Sequence, residues 1–377
     1  MLRRAGNDVV LYERQSDDIS RFSMLGKAAV PAQVVWSPTD RRRLRRILSG
    51  RRPDVVHVHN TFPLISPSIL GVCREAGIPV VATLHNFRLV CANGLLFRNG
   101  APCEDCVGRS PWPGLAHACY RGSRMATIPV AVSISVHRRL RTWPRGVSRF
   151  VALSGFARDR LIAGGLPGER LVVKPNSAPD PGERRASAGD HFLYLGRLSD
   201  EKGVDLLAKG WSDALGQLIV AGDGPARPAL ERSLSQHASV VMAGRLPHDE
   251  CMRLLLRSRA LIVPSRWYEG FPMVVVEAYS RGVPIIAPAH GSFPEMVEDG
   301  GSGLLFRPGD AASLVETVRA LMDHRLSERM GRRARAVYEE RFTEGRNLER
   351  LLRIYAEAIE DTRDSDLVAD RGGLGGR

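Results

Sequence analysis

Residues 265–282 read S-R-W-Y-E-G-F-P-M-V-V-V-E-A-Y-S-R-G and follow the apolar run Ala260-Leu-Ile-Val263, closed by Pro264. A short apolar run ended by proline predicts a buried parallel strand. Pro272 suits the first position of a helix, where its missing N–H has no intrahelical role. The stretch therefore reads as strand, loop and helix, with Glu269 in the loop and Glu277 inside the helix. Between them, Gly270, Phe271, Pro272, Met273 and Val274 bring the free amides and positive end of the helix to one place, an arrangement that receives phosphate groups without side-chain charge. From Pro272 to Glu277 the axial rise is about 7 to 8 Å at 1.5 Å per residue, which sets a diphosphate at the helix tip and a ribose diol beside Glu277. A carboxylate accepts both diol hydrogens at once.

Taken alone, two glutamates at this spacing are ordinary surface residues; their surroundings give them weight. His191-Phe-Leu-Tyr-Leu, Gln217-Leu-Ile-Val-Ala, Ser239-Val-Val-Met, Ala260-Leu-Ile-Val and Pro284-Ile-Ile-Ala are short apolar runs separated by helical segments. That alternation predicts a parallel sheet covered on both faces. The first half repeats it. Asp8-Val-Val-Leu-Tyr, Asp54-Val-Val-His-Val-His, Ile78-Pro-Val-Val-Ala-Thr-Leu, Arg149-Phe-Val-Ala-Leu and Leu171-Val-Val are predicted strands. Helices are predicted over 39–48, 67–76 with Ser66 as N-cap, 123–140 and 156–163. A polar, turn-rich segment at 176–190 separates the halves. The fold class is α/β, with two doubly wound Rossmann-like domains at 1–178 and 179–346. An amphipathic helix follows at 347–360, and the charged, glycine-rich tail 361–377 is expected to be disordered.

In open parallel sheets ligands bind beyond the carboxyl ends of the strands. Gly196-Arg197-Leu-Ser-Asp-Glu-Lys202-Gly203 follows the first strand of the second half, and Ala221-Gly222-Asp223-Gly224-Pro225 the second. Glycines there let the backbone approach a ligand closely. These segments resemble the G-R-L-x-x-x-K-G and G-D-G-P turns of the retaining family 4 glycosyltransferases, and 269–277 resembles their E-x7-E segment. The resemblance covers nearly the whole chain, in the same order. It implies the GT-B fold, two Rossmann-like domains facing across a cleft, with the last helix returning to the first domain. It also implies retaining transfer of a sugar from a nucleotide-sugar donor to a lipid-linked or polysaccharide acceptor bound by the first domain. Arg197 and Lys202 would hold the donor diphosphate; Gly222, Asp223 and Gly224 would approach the nucleotide; Glu269 would hold sugar hydroxyls and Glu277 the ribose. His85, in Thr83-Leu-His-Asn-Phe-Arg, would reach the donor sugar and reacting centre.

The leaving diphosphate needs either a metal ion or cations and dipoles. The single D-x-D, Asp364-Ser-Asp366, lies in the polar tail and reads as surface, so the chemistry is expected to be metal-independent. His59 is a second cleft candidate, while His57 is expected on the opposite face, in the core. Ser154 and Asn176 fit either a site or a plain capping or turn role.

Cys91, Cys103, Cys106 and Cys119 form C-x11-C-x2-C-x12-C in a long loop. That spacing suits a structural zinc; packed, unliganded thiols or a redox-labile pair are the other readings. Cys73 and Cys251 fall on predicted helices and are expected in the core.

The formal net charge is +13, and all but four of the 54 basic residues are arginine. Arginine runs at 41–52 and 138–149 read as solvated helix faces, with peripheral contact to an anionic membrane as the other use. The rivals from other classes are a basic nucleic-acid-binding protein with a four-cysteine zinc site and an inactive GT-B partner protein. The expectation here is no nucleic-acid partner. The apolar run 126–136 falls short of the roughly 20 residues a membrane span needs. The first ten residues lack an apolar signal core, which gives a cytoplasmic expectation, including the inner face of the membrane. Finally, Leu2-Arg-Arg-Ala-Gly-Asn reads as the tail of a helix. By the resemblance, a strand and glycine-rich loop upstream of it are absent, so the native polypeptide is expected to extend further.

Overall fold

The computed structural model describes residues 1–373. Two compact units divide the chain: Met1–Leu95, Glu104–Lys174 and the last helix from Leu348 form the first, and Leu96–Cys103 with Pro175–Asn347 the second.

The first unit is built on four parallel strands, β1 (Val56–Val58), β2 (Val80–Leu84), β5 (Arg149–Ala152) and β6 (Leu171–Val173), in the order β1-β2-β5-β6. The chain between β2 and β5 includes a two-stranded antiparallel hairpin, β3 (Phe97–Arg98) and β4 (Ala101–Pro102), which belongs to the second unit. Val81 and Val151 are fully buried and pack with Ile354 and Ala358, so the terminal helix Glu344–Gly373 covers one face of this sheet. Burying one such side chain stabilises by about 1.5 to 3 kcal/mol. Several helices begin where hydroxyl caps stand: Ser154 Oγ accepts from Ala157 N at 3.2 Å and Ser123 Oγ from Ala126 N at 3.3 Å.

The second unit carries six parallel strands. They are β7 (His191–Leu195), β8 (Gln217–Ala221), β9 (Val240–Gly244), β10 (Ser258–Ile262), β11 (Ile285–Pro288) and β12 (Gly303–Phe306), in the order β12-β11-β10-β7-β8-β9. Alternate residues feed two cores. Leu193, Leu261 and Ile285 pack with Val275, Val276 and Tyr279 on one face, and Phe192, Tyr194, Ala260 and Ile262 with Trp211 and Leu314 on the other. Apolar side chains at both parities are what the near-continuous hydrophobic runs required.

Three expectations need correction. Residues 8–12 form no strand: Val10 and Leu11 are exposed, and Tyr12 OH and Arg14 both reach the buried Asp40. A strand exists only where a neighbour supplies its ladder, and β1 pairs with β2 alone among the described strands. The terminal helix runs to Gly373, through the segment expected to be disordered from 361; Arg149 pairs with Asp361 and Thr362 Oγ1 bonds Ala358 O at 2.9 Å, giving that turn partners. Residues 374–377 and the side chains of Asp364 and Asp366 lie outside the described residues. The first arginine run, in the helix Pro38–Gly50, is not purely solvated, because Arg41 and Arg45 both pair with Glu75, at 3.1 and 2.8 Å.

Candidate active site

Three loops meet at the carboxyl ends of β7, β8 and β10. After β7 the chain turns through residues 196–203; after β8 it passes Gly222-Asp223-Gly224; after β10 it runs from Pro264 to Pro272. The first two are knitted by backbone bonds, Gly196 N to Ala221 O at 3.2 Å and Leu198 N to Asp223 O at 2.9 Å. This close approach explains the glycines. A Cβ on Gly222 would stand 1.8 Å from Gly196 O, and one on Gly224 2.3 Å from Leu198 O. Atoms that close cannot coexist, so only glycine fits unless the backbone moves.

The first loop also docks onto the third. A Cβ on Gly203 would meet Pro264 O at 2.0 Å, Arg266 N donates to Glu201 O at 2.9 Å, and the Arg266 guanidinium pairs with Asp205 and Asp200. In that frame Lys202 Nζ lies 2.6 Å from Glu269 Oε1, and Ser265 Oγ donates to the same oxygen at 2.7 Å. Glu269 is 5% exposed, so its negative charge is held by these two partners instead of by water. Lys202 also sits over the Trp267 ring. Arg197 is exposed at the start of the first loop, where its backbone carbonyl accepts from the buried Tyr194 OH at 2.7 Å. Burial, then the charges of Glu269 and Glu201, pushes that phenol's pKa up.

The helix Met273–Ser280 begins directly after Pro272, its N-cap, so Gly270, Phe271, Met273 and Val274 stand at its positive end. Glu277 is one turn in, on a half-buried face; burial raises its pKa, opposed by the nearby His248 and Arg281. Sequence reasoning overlooked His290, after β11. Its Nε2 donates to Ser265 O at 2.9 Å, its ring meets Tyr268 edge to face, and the neighbouring Gly291 passes within 3.3 Å, measured from a Cβ position, of Tyr268 Cα. The loop carrying Glu269 is thus propped by residues whose distant sequence positions gave no sign of it. The β3–β4 hairpin is a second missed feature; it packs with the second unit, and a Cβ on Gly100 would lie 3.9 Å from both Arg266 and Asp200.

In the first unit, His59 and His85 follow β1 and β2, and His59 Nδ1 lies 2.9 Å from His85 Nε2. His57 does not face the other way: its ring stacks on His59 at 4.3 Å between centroids, because residues two apart in a strand share a face. Both its nitrogens are occupied, Nδ1 by Tyr355 OH at 2.6 Å and Nε2 by Thr83 Oγ1 at 2.8 Å. Burial, aided by His59, Lys174 and His85, pushes His57 down to about 3; burial, with His59 and Lys174, brings His85 to about 4. Both are therefore neutral at pH 7. Lys174, just past β6, is itself lowered to about 8 by burial and then by Arg350. Asn176 belongs to the start of the second unit.

The cysteines do not form the expected zinc site. Among the described residues no group of three or more His, Cys, Asp or Glu side chains converges as a metal would require. Cys91 Sγ instead donates to Asn93 Oδ1 at 2.9 Å, and Cys103 belongs to the hairpin of the second unit. Cys73 is in the core as expected, while Cys251 is half-buried.

Comparison with known proteins fits this architecture. The model of Glycosyltransferase Family 4 matches residues 1–178, and that of glycosyl transferases group 1 matches residues 182–337. The chain is 24% identical over 362 residues to the sulfoquinovosyl transferase SQD2 of Arabidopsis thaliana, across 89% of this chain and 64% of that protein. It is 25% identical over 360 residues to the alpha-D-kanosaminyltransferase of Streptomyces kanamyceticus, across 91% of this chain and 86% of that one. Its fold is similar to the crystal structure of Anabaena HepE in complex with UDP, with a TM-score of 0.61 and 18% identity over 84% of this chain and 81% of that one. Two family models, end to end, account for the two parallel-sheet units and the loops at their strand ends, and on that ground the chain belongs to the family 4 glycosyltransferases, enzymes of the GT-B fold.

Proposed function

We propose that the chain transfers a sugar from a nucleoside diphosphate donor, held by the second unit, to a lipid-linked or glycan acceptor, with retention of anomeric configuration and without a catalytic divalent cation. The observation that supports this reading best is the Lys202–Glu269 pair, a cation and an acceptor clamped together beyond a strand end and beside a helix N-terminus. Lys202, Arg197 and the first amides of the helix Met273–Ser280 spread positive charge where a leaving diphosphate would collect negative charge, the part a metal plays elsewhere. Glu269 accepts hydrogen bonds from sugar hydroxyls, and Glu277 takes the ribose diol. His85, neutral and bonded to His59, serves the acceptor side as a hydrogen-bonding group. That HepE was crystallised with UDP supports a nucleotide donor, and relatives acting on different acceptors leave the acceptor to this chain's own first unit.

No helix among the described residues is long and apolar enough to cross a membrane. We place the enzyme in the cytoplasm, including the inner membrane face where lipid-linked acceptors are presented.

A panel of nucleotide sugars, read by melting shift and by release of nucleoside diphosphate in the presence of chelator, tests the reading. One donor that stabilises the chain and is turned over supports it. No saturable binding of any donor, alongside tight salt-sensitive binding of RNA or DNA, overturns it.

A further inference from the structure

The first unit contains a cavity of about 350 Å³ that none of the roles above uses. Its lining includes Thr61 and Phe62, two and three residues past His59, and Arg88, three past His85. From there it extends along the helix Arg124–Arg139 to Trp143 and Leu166. Val34, Ile65, Val90, Val130 and Ile134 give it apolar walls. Its charged lining is of one sign: Arg88, Arg138 and Arg141 border it, with no aspartate or glutamate. His137 adds no charge, since Nε2 donates to Val35 O at 2.8 Å, Nδ1 meets Thr142 Oγ1 at 2.9 Å, and burial lowers its pKa.

The arginines differ in how firmly they are held. Arg88 is fixed, its guanidinium 4.5 Å from the Phe62 centroid and 5.2 Å from that of Tyr120. Arg138 bonds the carbonyls of Arg109 and Gly164. Arg141 is exposed and has a left-handed backbone, φ 50°, an uncommon state for a residue with a Cβ. Cavities of this size, mostly apolar with a few convergent polar groups, are the usual form of a small-molecule site.

We propose that this cavity receives the tail of a single-chain alkyl or isoprenyl phosphate, with the phosphate held by the arginines at its border, and that this amphiphile is the acceptor or the anchor of the acceptor. The inference rests on the glycosyltransferase reading and names the acceptor class. A lining that carries guanidiniums and no carboxylate suits a phosphate dianion. The space equals about twelve waters of liquid volume, and since a methylene takes up about as much room as a water, it fits one chain of roughly ten carbons. Thr61, Phe62 and Arg88 of its lining belong to the loops that carry His59 and His85, which ties the cavity to those imidazoles.

The test is calorimetric titration of the full chain with n-decyl phosphate below its micelle concentration, beside n-octyl phosphate, decanol and inorganic phosphate. Each methylene entering the cavity tightens binding about fourfold, so decyl phosphate should bind about fifteenfold tighter than octyl phosphate. Decanol should bind at least about tenfold more weakly than decyl phosphate, and inorganic phosphate should not bind measurably. Ile134→Trp, which fills the cavity, and the exposed Arg141→Glu should each weaken decyl phosphate while leaving UDP binding to the second unit intact, which also checks folding. Decanol matching decyl phosphate, inorganic phosphate competing with it, or equal binding by the Ile134→Trp variant overturns the proposal. UDP binding without decyl phosphate binding rejects this acceptor class alone; failure of both removes the transferase reading as well.

Discussion

Lys202 Nζ stands 2.6 Å from Glu269 Oε1, across loops 67 positions apart in the chain. The pair joins the loop after β7 to the loop after β10. Each residue holds the other in place, and on the proposed reading a donor's sugar and diphosphate would meet there.

That arrangement predicts coupled losses. Glu269→Ala and Lys202→Ala should each lower kcat/KM by about 2 to 4 kcal/mol of transition-state stabilisation, and the double variant should fall short of the sum by about 1 to 3 kcal/mol. A double-mutant cycle on nucleoside diphosphate release measures both. Simple additivity would mean that the two residues act independently.

The glycine turn predicts a contrast within one residue type. Gly222→Ala forces a Cβ onto Gly196 O, whereas Gly6, left-handed at φ 83° and ψ 9°, has nothing within 4 Å of its Cβ position. Gly6→Ala should cost only the left-handed backbone penalty, about 1 to 2 kcal/mol of unfolding free energy. Gly222→Ala should cost more and also weaken donor binding. Equal destabilisation, with donor affinity intact in both, would show that the turn does not need its close backbone approach.

Much of this was legible in the sequence because it repeats. Apolar runs at strand length, each followed by a helix, mark a doubly wound sheet whichever run is read first, and loops after strands are where ligands bind. What was not legible depends on partners far along the chain. The helix Met24–Val35 contains Gly26 and Pro31, which locally argue against a helix, yet Ser133 Oγ and His137 Nε2 bond the carbonyls of Val34 and Val35 at its end. Residues 8–12 have the composition of a strand but no ladder. The hairpin turn Asn99-Gly100, with φ 52° and 76°, carries a common hairpin dipeptide that was hidden among the cysteines. His290 props the Glu269 loop only because β10 and β11 are neighbours.

The His57 imidazole predicts a pH dependence of stability. His57 is held near 3, against an unfolded value near 6.5, chiefly by burial. Between those values the unfolded chain binds more protons, so stability is complete above about pH 6.5 and is lost as pH falls, by up to about 1.4 kcal/mol per pH unit for this histidine. Melting temperature should therefore drop from pH 7 to pH 4.5, and His57→Gln should flatten the slope. A wild-type melting temperature constant over that range would contradict the burial of His57.

Glu277 should act in binding more than in chemistry. Glu277→Ala is expected to raise the donor KM about tenfold to a hundredfold with little change in kcat, the size of a lost hydrogen-bonding carboxylate. Because burial raises its pKa, donor affinity should also weaken earlier on acidification than an ordinary glutamate would allow. Steady-state kinetics as a function of pH reads both, and a fall in kcat alone would assign Glu277 a different role.

The central claim is retaining, metal-independent transfer from a nucleotide sugar. Proton NMR of the anomeric region during turnover of the accepted donor, in excess chelator, tests it most directly. The account predicts that the first-formed glycosyl product keeps the donor's anomeric configuration, at a rate that chelation does not change. An inverted product, or turnover abolished by the chelator and restored by a divalent cation, would contradict it.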